Sequence, residues 1–205
     1  MSAMKTLCVV LTLLLSLNGK AVAQRREAPL REGQEELGLA VGFASVQLFI
    51  AKLTDLIVVA GSAGFVAAES HDPVGPITLS YDRYSSDLFS YGLEASYFSI
   101  EQDYASTISG DTLLTTRNHY YVLMGRADLR WGTLGPVEFS SGLALGPALY
   151  SQALIGSDTT GSASAVLPAF QLSALRLRIG TQIGVFGELG FGFRGSAVLG
   201  VSGRF

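Results

Sequence analysis

The C-terminal ten residues alternate. Counting back from Phe205, one parity holds Gly203, Val201, Leu199 and Ala197; the other holds Arg204, Ser202, Gly200, Val198 and Ser196. One face is apolar and ends on an aromatic ring, while the other is mostly small or polar. Successive side chains of a strand point to opposite faces, so this segment is a strand between two unlike environments. Lipid on one side and a lumen on the other meet that requirement, which is the situation of a transmembrane β-barrel strand. A closing aromatic such as Phe205 is also the assembly signal that these barrels present to the barrel assembly machinery.

The N-terminal end is read independently. Met1 to Lys5 is short and charged, and Leu7 to Leu17 is an apolar run. That run is too short for a helix spanning a bilayer, which takes about 20 residues. Ala21-Val22-Ala23 then offers a small-residue cleavage site before Gln24. Residues 1–23 therefore read as a secretory signal peptide, outside the fold. Cys8 lies inside the apolar run and not at the cleavage point, which argues against a lipoprotein anchor. It is the one cysteine of the chain, so the mature protein has no disulfide framework. Loss of Lys5 and Lys20 leaves 12 bases against 17 acids, and this acidic balance argues against a nucleic-acid partner.

Alternating segments recur along the mature chain. The first is Leu37 to Ala44, with Leu37, Leu39, Val41 and Phe43 on one face. The second, Ile77 to Tyr84, sets Ile77, Leu79 and Tyr81 against Thr78, Ser80 and Asp82. The third, Leu88 to Glu101, turns Phe89, Tyr91, Leu93, Ala95 and Tyr97 outward and Ser90, Gly92, Glu94 and Ser96 inward. The fourth, Tyr120 to Trp131, turns Tyr121, Leu123, Ala127, Leu129 and Trp131 outward. The fifth, Val137 to Tyr150, turns Phe139, Leu143, Leu145 and Leu149 outward. The sixth runs from Val166 to Ile179. The seventh, Ile183 to Phe193, turns Val185, Leu189, Phe191 and Phe193 outward. The C-terminal segment is the eighth.

The expected architecture is all-β: a closed antiparallel transmembrane β-barrel of eight strands spanning 37–205, after a periplasmic segment 24–36. Short connections at 84–87, 132–136 and 180–182 fall on the side of the termini. Longer segments at 45–76, 102–118 and 151–165 fall on the other side and read as solvated outer loops. Within the first of them, Val46, Phe49, Ile50, Leu53, Leu56 and Ile57 recur at helical spacing, which predicts a short amphipathic helix over Val46 to Ile57. In the sixth strand Gln171 and Ser173 share a parity that Arg176 and Arg178 do not. A β-bulge near Ala174-Leu175 resolves this, because an arginine facing mid-bilayer lipid costs about 2–4 kcal/mol.

The stretches Gly75-Pro76-Ile77-Thr78-Leu79-Ser80-Tyr81, Tyr91-Gly92-Leu93-Glu94-Ala95-Ser96-Tyr97, Gly187-Glu188-Leu189-Gly190-Phe191-Gly192-Phe193-Arg194-Gly195 and Leu199-Gly200-Val201-Ser202-Gly203-Arg204-Phe205 resemble small outer-membrane β-barrel proteins of Gram-negative bacteria, of a family common in the Bacteroidetes. The resemblance covers most of the mature chain. It implies the barrel fold and a place in the cell outer membrane, among its lipids, and brings no catalytic residues.

The inward parity gathers Asp82, Glu94, Asp128, Glu138 and Glu188 with Arg126, Arg130, Arg176, Arg178 and Arg204. An eight-stranded barrel has an interior just wide enough for side chains to fill. Charges there must pair, so these ten read as a plugging salt-bridge network; a narrow ion path is the alternative. Trp131, Tyr84, Phe205, Tyr97, Tyr120 and Tyr121 lie near strand ends, where aromatic girdles sit. His119 comes near Ser99 and Glu101, the parts of a lipid-cleaving triad, although a rim histidine beside Asn118 and Tyr120 suits an interfacial position better. His71 with Asp72 lacks the further ligands of a metal site. The glycines of 187–195 lack the strand–helix context of a phosphate loop. No cofactor or catalytic set is expected. The reading is a monomeric, non-enzymatic outer-membrane protein whose surface loops bind a partner or whose barrel supports the envelope; a narrow pore and a lipid-modifying enzyme are its rivals.

Heat-modifiable gel mobility in outer-membrane fractions is the expected signature of the folded chain. Deleting Phe205 is expected to lower the amount of that species more than deleting any one loop residue.

Overall fold

A computed structural model describes residues 32–156 and 160–205. The signal-peptide segment 1–23 lies outside the described residues, as does the segment from 24 to 31. Eight strands and one helix follow in the order β1 (Glu35–Phe43), α1 (Val46–Gly61), β2 (Val66–Tyr84), β3 (Phe89–Ser106), β4 (Thr112–Leu134), β5 (Val137–Gly156), β6 (Thr160–Gly180), β7 (Ile183–Gly192) and β8 (Ala197–Arg204).

Each strand pairs antiparallel with the next, and β1 pairs with β8, so the sheet closes. The closing seam runs from Glu36 opposite Arg204 to Phe43 opposite Ala197. Closure satisfies every strand edge along the seam, a requirement in lipid, where an unpaired backbone group costs several kcal/mol. Between the strand ends the outward parity is apolar: Leu37, Leu39, Val41, Leu79, Leu93, Leu123, Leu145, Leu189 and Val201 are all exposed. A closed antiparallel barrel, apolar outside and charged inside, is an outer-membrane-type β-barrel.

Strand lengths divide the barrel. β1, β7 and β8 have 9, 10 and 8 residues, about what a tilted strand needs to cross a bilayer. β2 to β6 have 19, 18, 23, 20 and 21, roughly twice that span. The wall is therefore short on the side of the seam and tall on the other. This corrects the loop expectation. The segments 66–76, 102–106, 112–118 and 151–156 are strand, and β3 and β4 stay paired as far as Ala105 opposite Thr112. Polar and apolar residues mix in these segments, so the alternation that marks a lipid-facing strand is missing there. In β2, Pro73 and Pro76 coincide with register shifts between His71 and Val74 and between Val74 and Ile77. Proline withdraws a ladder donor and is confined to edges and bulges.

The bulge in β6 is present: pairing with β7 shifts between Ser173 and Leu175, which brings Gln171, Ser173, Arg176 and Arg178 all to the inside. The helix is one turn longer than its spacing predicts. Ser45 caps it, its Oγ accepting from the N–H of Leu48 at 3.3 Å. Ala44, with φ at +54°, makes the turn from β1 into it.

From the end that holds the termini, the inner face has three layers. Along β3 these are Glu94, then Phe98 and Ile100, then Gln102 and Tyr104; along β4, Asp128 and Arg126, then Met124 and Val122, then Asn118 and Thr116. The middle layer is an apolar cluster of Phe98, Ile100, Val122, Met124, Ala144, Ala148, Ala169 and Phe193, with Ala51 of α1 packed on it. Phe193 is thus inside and not lipid-facing: at Gly192, φ is +147°, and the ring turns in against Phe98.

Glycines permit the closest approaches. A Cβ at Gly92 would overlap the carbonyl oxygen of Tyr81, whereas one at Gly187 would meet only Leu199 Cδ2 at 3.5 Å. Gly92→Val is expected to destabilise the refolded barrel by about 1–3 kcal/mol, and Gly187→Ala to leave it nearly unchanged; urea titration in lipid vesicles measures both.

Candidate lumen charge network

The barrel's small bore forces the inward charges into contact. Glu36, one residue before the alternating run that starts at Leu37, is the hub nearest the termini. Arg204 Nε donates to its Oε2 at 2.5 Å and Arg176 Nη2 to its Oε1 at 3.3 Å. Arg178 Nε lies 3.4 Å from Oε1, and Tyr84 Oη donates to Oε2 at 2.9 Å. Arg204 also donates to both oxygens of Glu138, at 2.8 and 2.7 Å. This two-pronged geometry is the strong form of the arginine–carboxylate pair.

Arg178 does a second task. Its Nε donates to Ser202 Oγ at 2.8 Å and its Nη1 to the carbonyl of Gly180 at 2.6 Å, while Nη2 reaches the carbonyls of Thr181 and Gln182. One side chain thereby fastens the β6–β7 turn to β8. Arg176 and Arg204 also stand over the rings of Phe186 and Tyr84, at 4.2 and 5.1 Å from the centroids.

The second hub is Arg126. It binds Asp128 through Nε and, at 3.0 Å, through Nη2; Nη1 donates to Glu94 Oε2 at 3.4 Å. Asp82 and Glu188 stand 3.7 and 3.9 Å away. Asp82 spans the two hubs, with Arg176 at 4.0 Å on its other side. Arg130 sits at the rim, 3.7 Å from Asp87.

Arg194 completes this upper hub, and only tertiary structure reveals it. It lies in the turn between β7 and β8, yet its side chain is 1% exposed. Its guanidinium donates to Glu94 Oε2 at 2.9 Å, to Ser173 Oγ at 3.2 Å and to Glu188 Oε1. Gln171 holds the turn in place: its Oε1 accepts from the N–H of Arg194 at 2.9 Å, and its Nε2 donates to the carbonyl of Gly195 at 3.1 Å. Ser173 donates to Glu188 at 2.6 Å. Among the described residues Glu36 and Arg194 thus join the charges expected from parity, of which Arg130 stands at the rim. A cavity of about 20 Å³ lies among Glu36, Tyr84, Asp128, Arg130, Arg176 and Arg204, room for about one water molecule.

Two aromatics expected in the outer girdle are inside. Tyr84 belongs to the Glu36 hub, and Tyr120 stacks on Phe98 with ring centroids 4.6 Å apart. Trp131, Tyr121 and Phe205 are exposed on the outer surface. Tyr97 shares that surface, 5.1 Å from Tyr121 between ring centroids. Ser99 faces His119 in backbone register, but the triad does not assemble. Tyr97 Oη lies 3.1 Å from His119 Nδ1, and Glu101 accepts from Arg117 at 2.7 Å. The backbone of His71 is strand, opposite Glu101.

No family model and no curated protein matches the chain. It is similar to solved barrels. Ail, the attachment invasion locus protein of Yersinia pestis, is 12% identical over 85% of this chain and 99% of that one, with a TM-score of 0.48. The N-terminal β-barrel domain of Pseudomonas aeruginosa OprF is 13% identical over 85% and 98%, with a TM-score of 0.42. Ail in complex with the heparin analogue sucrose octasulfate is 11% identical over 85% and 99%, with a TM-score of 0.45.

Removing one member of a buried ion pair strands its partner, at a cost of about 3–5 kcal/mol. Glu188→Ala and Glu36→Ala are each expected to destabilise the barrel on that scale, and lipid-facing Leu189→Ala by less; denaturant titration of refolded protein gives the order.

Proposed function

We propose that the chain is a closed, non-enzymatic barrel that anchors a tall β-sheet on the cell surface, where the sheet binds a partner. The observation that carries this reading is the inequality of the strands. A barrel needed only to span lipid has no use for five strands of 18 to 23 residues beside three of 8 to 10. The excess, built from β2 to β6, stands above the short seam wall and is rich in Ser, Thr and Gln. Loops and extensions held by a rigid scaffold are where binding surfaces concentrate.

Two features argue against a pore. The charged layer is paired across the bore, and an ion that passed it would next meet the apolar layer of Phe98, Ile100, Val122 and Met124. A dry apolar constriction bars ions by dewetting. The side chain of Arg194, folded in from the turn above, stands between the two.

On intact cells, Ile108→Cys at the β3–β4 tip is expected to react with a membrane-impermeant maleimide. Leu134→Cys, at the opposite end of β4, is expected to react only after the outer membrane is permeabilised. The reverse pattern would invert the barrel. In planar bilayers the protein is expected to be silent; stable conductance steps, enlarged by Glu94→Ala or Arg126→Ala, would establish the pore reading instead.

A further inference from the structure

Helix α1 wears its polarity inside out. A helix on a water-soluble protein turns its apolar stripe to the core and its polar residues to solvent. In α1 the buried positions are Gln47, Ala51 and Asp55, spaced by four and so on one face. The opposite face carries Phe49, Ile50, Leu53, Leu56 and Ile57, which are 48–66% exposed. The polar stripe is bonded to the sheet. Gln102 Nε2 donates to Asp55 Oδ1 at 3.1 Å, and Lys52 Nζ donates to the carbonyl of Ser70 at 3.2 Å. Ser70 lies on the stretch of β2 above Ile77, where β1 no longer pairs with it, so the helix covers an open sheet edge.

We infer that this apolar face is a membrane surface: α1 lies in the outer leaflet of the bilayer, its five large side chains among the acyl chains, and forms the missing upper wall above β1. The chain's own reach supports lipid as the occupant. Val41 and Phe43, the last outward residues of β1, are exposed on the lipid-facing surface. Only Ala44 and Ser45 separate Phe43 from the first residue of the helix. Three residue steps extend at most about 11 Å, so the helix starts at the rim of the lipid-facing surface and cannot be lifted clear of it. Val41 pairs with Leu199, and no charged residue lies in the chain between Phe43 and Phe49. Interfacial helices of this kind bury their apolar face about 5–10 Å into the headgroup–acyl boundary. The consequence is a lumen mouth bounded by sheet on one side and by a lipid-backed helix on the other.

This inference rests on the outer-membrane barrel reading, and the test separates the two. The one native tryptophan is removed by Trp131→Phe, and single tryptophans are placed in the full chain by Leu53→Trp, Leu56→Trp, Leu199→Trp or Ile108→Trp. Each protein is folded into phosphatidylcholine vesicles with or without chain-brominated lipid, and folding is checked by heat-modifiable mobility. Leu199→Trp reports the barrel wall and Ile108→Trp the β3–β4 tip. The tryptophans at positions 53 and 56 are expected to lose as much emission to brominated lipid as the one at 199, with a blue-shifted maximum, while that at 108 keeps its emission. The inference is overturned if position 199 is quenched but 53 and 56 behave like 108. It is equally overturned if 53 and 56 are shielded from both brominated lipid and aqueous iodide, which marks a second copy or another protein as the cover. An unquenched position 199 would remove the membrane reading itself. If Leu53→Trp does not fold, Leu56→Trp, at the more exposed position, decides the matter.

Discussion

The pairing of β1 with β8 is the interaction on which the rest depends. It turns a sheet with two raw edges into a tube, and in lipid no other arrangement of strands leaves the backbone satisfied. The seam is reinforced at its end by the ion pair between Glu36 of β1 and Arg204 of β8, so backbone closure and side-chain neutralisation begin at the same place. Once eight strands close, the bore is set, and it is too narrow for water to solvate charges independently. The carboxylates of the two charged hubs then meet arginines on the same, the neighbouring or an opposite strand. The two hubs around Glu36 and Arg126 are the outcome, with Asp82 between them.

The same seam explains the shape above. β1, β8 and β7 end well below the tips of β2 to β6, so β2 and β6 lose their neighbours and continue with one free edge each. The helix after β1 covers the first of these edges. At the second, Pro168 in β6 withholds a backbone donor, a common means of blunting an exposed strand. Apolar packing and hydrogen bonds among Gln102, Asn118, Tyr150 and Asp55 stabilise the tall side.

Legibility in the sequence followed the contrast between environments. Where a strand has lipid on one face, as from Leu88 to Tyr97 or from Tyr121 to Trp131, the period of two is plain and the inward charges can be named. Higher up the barrel polar and apolar residues mix on both faces, so Gln102 to Ser106 and Thr112 to Asn118 carry no such signal and read as loops. Pro73 and Pro76 broke the pattern of β2 for a different reason, by shifting its register. Glu36 lies at the start of β1, before the apolar alternation begins at Leu37, so its face is not marked by periodicity. Arg194 sat in what looked like an outer turn, and nothing local distinguishes an arginine facing water from one folded back into a lumen. The nearby signal was Gly192 and Gly195 on either side of it, both with positive φ, which free the turn to fold inward.

The sequence by itself determined the fold class, the number of strands, their inside and outside faces, the bulge in β6 and the helix after β1. All of these are written in periodicity, and periodicity is a local property of the chain. Tertiary structure alone decided which charge meets which, that Phe193, Tyr84 and Tyr120 turn inward, that His119 bonds Tyr97 and not Ser99, and that the polar face of α1 is the buried one. Those outcomes depend on distances across the tube and on side chains remote in sequence, such as Glu36 and Arg204, which become neighbours only when the barrel closes.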